Sequence, residues 1–212
     1  MSIHKPRPLT LASLILIAGV GVACAAKGHY VPLHHSANGS YTIDSQHTNV
    51  LFTIGHVGIT EFTGHFAKVT GTYTWNSRNP KKDRVHIVIP TASIHTNYAL
   101  RDKHLRSKEF FDAKKYPHIT FVSSKYVPTG TKTGKLYGRL TMHGITKPAL
   151  FMVRKIGAGP VSYLPKPWGG YLSGFVATTT IYRSQFGIAA YLPEGLSNAV
   201  RVKVEIEGVK KP

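Results

Sequence analysis

From Tyr41 onward, apolar and polar residues alternate with a period of two in one short run after another, and the stretch that breaks this rule is residues 96–111. A period of two sends successive side chains to opposite faces of a pleated strand. The clearest case is the last run, where Val200, Val202, Val204 and Ile206 alternate with Arg201, Lys203, Glu205 and Glu207. One face of such a strand is greasy and the other charged, as in an antiparallel sheet with one side in water. Val50, Phe52, Ile54 and His56 follow the same rule, as do Phe62, Gly64 and Phe66, and Val85, Ile87 and Ile89.

Bounded by Gly, Pro, Asn and Asp, these runs predict strands near 41–44, 48–57, 62–75, 84–96, 117–127, 134–143, 147–157, 170–182 and 199–208. The segments 76–80 and 129–134 have the length of hairpin loops, so neighbouring strands are expected to be antiparallel. Closing such a sheet removes its edges and leaves an interior wide enough for one ligand. The expected fold class is all-β: an eight-stranded antiparallel barrel with a short helical insert near residues 97–112. Strands of about 10 residues at ~3.3 Å each make it roughly 30 Å tall. Tyr171, Ser173, Phe175, Ala177, Thr179 and Ile181 form an inward file with many small or hydroxylated members, which suits either a cavity wall or a distorted edge strand.

The insert reads as a lid. Thr96 or Asn97 is expected to cap it, with Tyr98, Leu100, Leu105, Phe110 and Phe111 turned to the barrel mouth. Arg101 and Asp102 admit two readings: a contact to a ligand headgroup, or an ion-pair network fastening the insert to the rim. Adjacent positions on a helix point in different directions, which favours the second.

At the N-terminus, Lys5 and Arg7 precede an apolar run at 9–22, followed by Ala23-Cys24-Ala25. Fourteen residues is the length of an export signal and short of the roughly 20 that span a bilayer. We therefore expect a signal peptide at 1–25, a flexible tether at 26–40 and a barrel domain at 41–209. Cys24 can alternatively be the lipid-modified first residue of a lipoprotein. Either route leaves the folded part outside the cytoplasm, free or anchored to the envelope through Cys24. As the sole cysteine, Cys24 also rules out an intramolecular disulfide, so burial must hold the fold.

Without Lys5 and Arg7 the chain carries 25 basic against 9 acidic residues. The basic residues, among them Lys68, Arg84, Arg139, Lys155, Arg183 and Lys203, are scattered rather than gathered in a tract, so nucleic acid is not expected as a partner. Anionic lipid is the more available counter-charge for an exported protein.

The residues then carry a family resemblance. Tyr41-Thr42-Ile43-Asp44, His47, Val50-x-Phe52, His56-x-Gly58, Gly64-x-Phe66, Arg101-Asp102-x-His104-Leu105 and Phe110-Phe111 stand in order. Tyr116-Pro117-x-Ile119-Thr120-Phe121, Gly138-x-Leu140-Thr141-x-His143-Gly144-x-Thr146-x-Pro148 and Arg183-Ser184-x-Phe186-Gly187 follow. This succession resembles the YceI-like family. The resemblance implies a lipocalin-like barrel in the bacterial periplasm that holds a long isoprenoid or other amphiphilic chain, such as a quinone or a fatty-acid-like lipid. It also implies a carrier or sink supplied by a membrane or membrane-protein donor, and the barrel can associate as a homodimer. The alternative is a non-carrier envelope stress or adhesion protein that uses its basic surface to bind anionic lipids.

Candidate ligand-binding residues are Phe52, Ile54, His56, Phe62, Phe66, Ile87, Leu105, Phe110, Phe111, Phe121, Leu140, Phe175 and Phe186, with Asn97, Arg101 and Asp102 for a headgroup. Arg139 and Gln185 stand where the family pattern often has an acid, and Val69 stands near a usual aromatic. The gain in positive charge makes a phosphate or carboxylate headgroup the expectation.

No metal or other cofactor is expected. His47, His56 and His65 recur every nine residues, with His104 and His143 further on, but no Cys or His-Glu pair accompanies them. From residue 26 onward a serine elbow, a Ser-x-x-Lys pair, a His-Glu-x-x-His helix and a glycine-rich phosphate loop are all absent, so a binding protein rather than an enzyme is expected.

Overall fold

The computed structural model describes residues 36–165 and 169–212. The expected signal peptide, Cys24 and most of the tether lie outside the described residues. Eleven strands are formed: β1 (Gly39–Ile43), β2 (Asn49–His56), β3 (Thr60–Phe66), β4 (Thr70–Trp75), β5 (Arg84–Pro90), β6 (Ile94–His95), β7 (His118–Pro128), β8 (Thr133–Met142), β9 (Ile145–Val161), β10 (Gly170–Tyr182) and β11 (Leu196–Lys210). The helix α1 covers Ala99–Leu105.

Every pairing is antiparallel, and the order β1-β4-β5-β7-β8-β9-β10-β11 closes because β11 also pairs with β1. The result is the expected eight-stranded barrel. The three surplus strands come from bends. β1 and β2 both run along β11, β3 and β4 pair with them in turn, and β5 and β6 lie on the far side, so each couple is one strand broken in the middle. The breaks at 67–69 and 91–93 face each other, with the Ala67 N–H donating to the Ser93 carbonyl at 2.8 Å. β10 lies between β9 and β11 and is not an edge strand.

The hairpin turns divide into two ends. The mouth carries the 57–59 turn, the insert, the His143-Gly144 turn and the 183–195 connection, and the base carries the 76–83 and 129–132 loops. At Val57-Gly58 and His143-Gly144 both residues have positive φ (46° and 69°; 51° and 75°), the twist that matches the flanking strands of a tight hairpin.

The base is plugged by rings. Tyr41 stacks on Tyr73 at 4.7 Å, Tyr73 meets Phe175 edge-on at 5.5 Å, and Trp75 bridges Phe175 (5.8 Å) to Tyr126 (6.0 Å). Gly208 and Gly134 face Tyr73 and Tyr126, and any Cβ there would strike the rings. The hydroxyls are satisfied locally, Tyr41 Oη donating to the Ala37 carbonyl and Tyr73 Oη to that of Ser173. Ser36 is buried against Ser173 and β1 starts at Gly39, so the last residues assigned to the tether belong to the barrel base. Residues Val31–Pro212 form one compact unit that contains every strand and the whole core.

Asp83 is buried beside this plug. Its Oδ1 accepts the Asn76 N–H at 2.6 Å, while Oδ2 and the neighbouring Trp75 Nε1 have no hydrogen-bond partner among the described residues. Burial pushes its carboxyl up to about 6, against the pull of the Asn76 N–H, Lys155 and Arg84. A folded value above the unfolded one gives stability that is complete below about pH 4 and is lost as pH rises to 6. Asp83→Asn keeps an acceptor and removes the charge. Its stability advantage over the wild type, read by urea denaturation, should be on the order of 2 kcal/mol at pH 7.5 and should vanish near pH 4.

Candidate ligand-binding site

Above the aromatic plug the barrel is hollow, with a cavity of about 320 Å³. Its wall is built from the alternating faces: Val50, Phe52, Ile54 and His56 of β2, Val85, Ile87 and Ile89 of β5, and Val200, Val202, Val204 and Ile206 of β11. Phe121 of β7 packs edge-on against Phe151 of β9 at 5.0 Å, and Leu136, Leu140 and Met142 of β8 complete that side. Ala177, Thr179 and Ile181 show that the mixed file of β10 is a cavity wall in its upper half. In its lower half Phe175 belongs to the plug and does not line the cavity. The available length is therefore shorter than the full height of the barrel.

The insert fills the gap between β6 and β7. Thr91 ties its end to the wall, through Thr91 N–H to the Pro117 carbonyl (2.9 Å) and Thr91 Oγ1 to that of Tyr116 (2.7 Å). Leu105, Phe110 and Phe111 line the cavity, and Phe111 meets Phe66 edge-on at 5.9 Å. The helix is shorter than expected and its N-cap is Tyr98, with no side-chain cap. Tyr98 and Leu100 point outward, 54% and 66% exposed, rather than to the cavity. Seven helical residues have only one inward face, and the two phenylalanines take it from the following turns.

The headgroup candidates separate. Asn97 is exposed in a left-handed turn (φ 59°) and does not line the cavity. Asp102 is buried and accepts a hydrogen bond from Thr96 Oγ1. Arg101 donates through Nε to the same Oγ1 (2.9 Å) and through Nη2 to the Thr96 carbonyl (2.6 Å). Thr96 is thus the hub of a latch between insert and barrel. Arg101 alone of the three lines the cavity, its guanidinium 3.9 Å from the centroid of Phe62. Arg139 and Gln185 are exposed outside the cavity lining and Val69 is core, so none of them bears on headgroup choice.

Phe186 lies 2% exposed in a 3-10 turn behind the wall and does not line the cavity. Its neighbour Arg183 does, a residue that composition alone assigns to the surface. Buried, it donates to four backbone carbonyls: Ser197 (2.8 Å), Ile188 (3.1 Å), Ala190 (2.8 Å) and Leu196 (3.0 Å). Burial holds its guanidinium below the usual arginine range. The side chain rivets the 183–195 connection to the mouth.

The histidines do not converge. His56 lines the cavity, His65 lies against His95, and His143 contacts the Phe186 carbonyl through Nδ1 at 3.0 Å. The His-Glu pairs missing from the sequence pattern exist in space. His104 Nε2 lies 2.6 Å from Glu109, and His47 Nδ1 lies 2.9 Å from Asp44 and 3.8 Å from Glu207. The second group ties the β1–β2 bend to β11.

Residues 41–208 match the family model of the YceI-like domain. The chain belongs to the YceI-like family. A UPF0312 protein of Pseudomonas putida strain GB-1 is 40% identical over 173 residues, 81% of this chain and 86% of that protein. Among solved structures, BcnA of Burkholderia cenocepacia aligns with a TM-score of 0.69 at 21% identity, over 78% of this chain and 98% of its own. A polyisoprenoid binding domain from Saccharophagus degradans, implicated in plant cell wall breakdown, aligns at 0.59 and 13% identity, over 81% of this chain and 98% of its own. Both share the fold.

In this YceI-like protein the rivet should be indispensable to the mouth. Arg183→Leu strands four carbonyls, that of Ile188 buried and the other three part-buried, and should destabilise the barrel by about 3 kcal/mol in chemical denaturation. Arg183→Lys should recover little, because one ammonium cannot span the four acceptors.

Proposed function

We propose that this protein binds one long isoprenoid or similar amphiphilic chain with its apolar tail in the barrel and its polar end at the mouth, and that it carries or sequesters that lipid without turning it over. The observation that carries the reading is the cavity itself, walled by aliphatic and aromatic side chains on every strand face that meets it. Its volume is at the low end of the range for small-molecule pockets, so a long chain is held in part and emerges past His56, Thr60 and Arg101. Each buried methylene contributes about 0.8 kcal/mol, so few polar contacts are needed.

The polar groups on the wall have partners that suit holding rather than reaction. Arg183 is spent on backbone carbonyls, and Glu61 is clasped by Arg201, Nη1 lying 2.6 Å from Oε1. The polyisoprenoid binding of the S. degradans domain, on the same fold, supports the ligand class. Export through the 1–25 segment to the periplasm, with Cys24 cleaved away or lipid-modified, completes the proposal.

Extraction of the natively purified protein followed by mass spectrometry tests it. A lipid with a long apolar tail should co-purify at near one per chain, and stripping it should lower the melting temperature. Ala177→Phe, which fills the cavity from β10, should cut that occupancy at least about tenfold while leaving the circular dichroism unchanged. Full occupancy in Ala177→Phe, or a lipid-free wild type, would contradict the proposal.

A further inference from the structure

The cavity opens between two elements whose tips are unusually greasy. His56, Thr60, Glu61 and Phe62 line it from the β2–β3 hairpin and Arg101 lines it from α1. On the outer side of the same hairpin Val57 is 48% exposed and Ile59 86%, and at the start of α1 the N-cap Tyr98 and Leu100 are more than half exposed. Val57 adopts positive φ to make this turn, a conformation that β-branched residues rarely take. Arg101 bridges the two tips, with its guanidinium over Phe62 and 5.7 Å from the centroid of Tyr98.

The charge beside these tips is positive. Lys103 and Lys108 on the insert and Lys114 and Lys115 just after it are exposed, while the exposed acids beside them are already paired, Glu109 with His104 and Glu61 with Arg201. Apolar tips set among lysines are the composition of a surface that sits in the headgroup region of an anionic leaflet. Among the described residues no helix is long and apolar enough to cross a membrane. The occupant that matches both the grease and the charge is a bilayer, and a bilayer is also where a water-insoluble chain resides.

We propose that the mouth is a membrane-docking surface: Val57, Ile59, Tyr98 and Leu100 insert into an anionic leaflet, the neighbouring lysines hold its phosphates, and lipid passes between leaflet and cavity without entering water. This rests on the lipid-binding reading above.

The test uses the compact unit from Val31 to Pro212, which excludes the apolar 9–22 run, and phosphatidylcholine vesicles containing roughly one third phosphatidylglycerol. The wild type should co-sediment with them, and the double variant Ile59→Glu/Leu100→Glu should lose at least about tenfold in partition. Tyr163→Glu/Leu164→Glu, which alters exposed apolar residues at the base, should bind as the wild type does. The rim variant should still load lipid from detergent micelles, which shows an intact cavity, while extracting it poorly from vesicles. Equal sedimentation of the rim variant and the wild type would overturn the proposal, as would capture by charge alone, abolished by salt and indifferent to Ile59 and Leu100. A wild type that retains lipid but ignores vesicles would overturn docking and leave the lipid-binding reading standing.

Discussion

The ring contacts at the base let the rest of the barrel stay hollow. A void of 320 Å³ forgoes packing worth on the order of 8 kcal/mol at about 24 cal/mol per Å³, comparable with the whole stability of an ordinary domain. Tyr41, Tyr73, Phe175, Trp75 and Tyr126 gather some of the largest side chains of the chain into one layer, and glycines opposite Tyr73 and Tyr126 let the rings lie flat against the strands. The packed layer, the closure of β1 on β11 and the hydrogen-bonded wall offset the empty space above. A bound tail fills the remaining void and recovers part of that cost.

The mouth is built by a different device. Its connections are held by polar rivets rather than by a second apolar layer: Arg183 on four carbonyls, and Thr96 shared between Arg101 and Asp102. Such rivets fix the backbone of the rim without filling the opening. They also leave the tips of the β2–β3 hairpin and of α1 free to present apolar side chains outward. With rings closing the base, the cavity is lined at the stiffened mouth by the β2–β3 hairpin and α1, an opening suited to end-on entry of a tail.

Much of this was legible in the residues because period-two alternation reports directly on which side chains face inward. Val50, Phe52, Ile54 and His56, and the valines of β11, line the cavity as the pattern placed them. The alternation could not distinguish a wall position from a plug position on one strand, which is why Phe175 was placed with the ligand contacts. Nor could it mark the breaks at 67–69 and 91–93, which depend on one backbone bond between distant segments, Ala67 to Ser93. The helical insert was recognisable, and so were Leu105, Phe110 and Phe111 as its inward residues, but its length was not. Tyr98 and Leu100 satisfy an amphipathic pattern yet face outward, because the insert docks through Phe110 and Phe111 beyond the helix. Arg183 carried no local signal at all, since a buried arginine is specified by carbonyls from a connection that only the closed barrel brings around it.

The central claim is that an apolar tail lies above the aromatic plug with its polar end at the mouth. Photo-crosslinking with an isoprenoid probe carrying a diazirine at its tail tests this most directly, with adducts mapped by peptide mass spectrometry. The account predicts adducts on Ile87, Phe121, Leu136, Phe151 and Val204, well inside the hollow half. Adducts confined to outward-facing residues such as Tyr137 and Met152, or to Tyr73 and Trp75 within the plug, would contradict it.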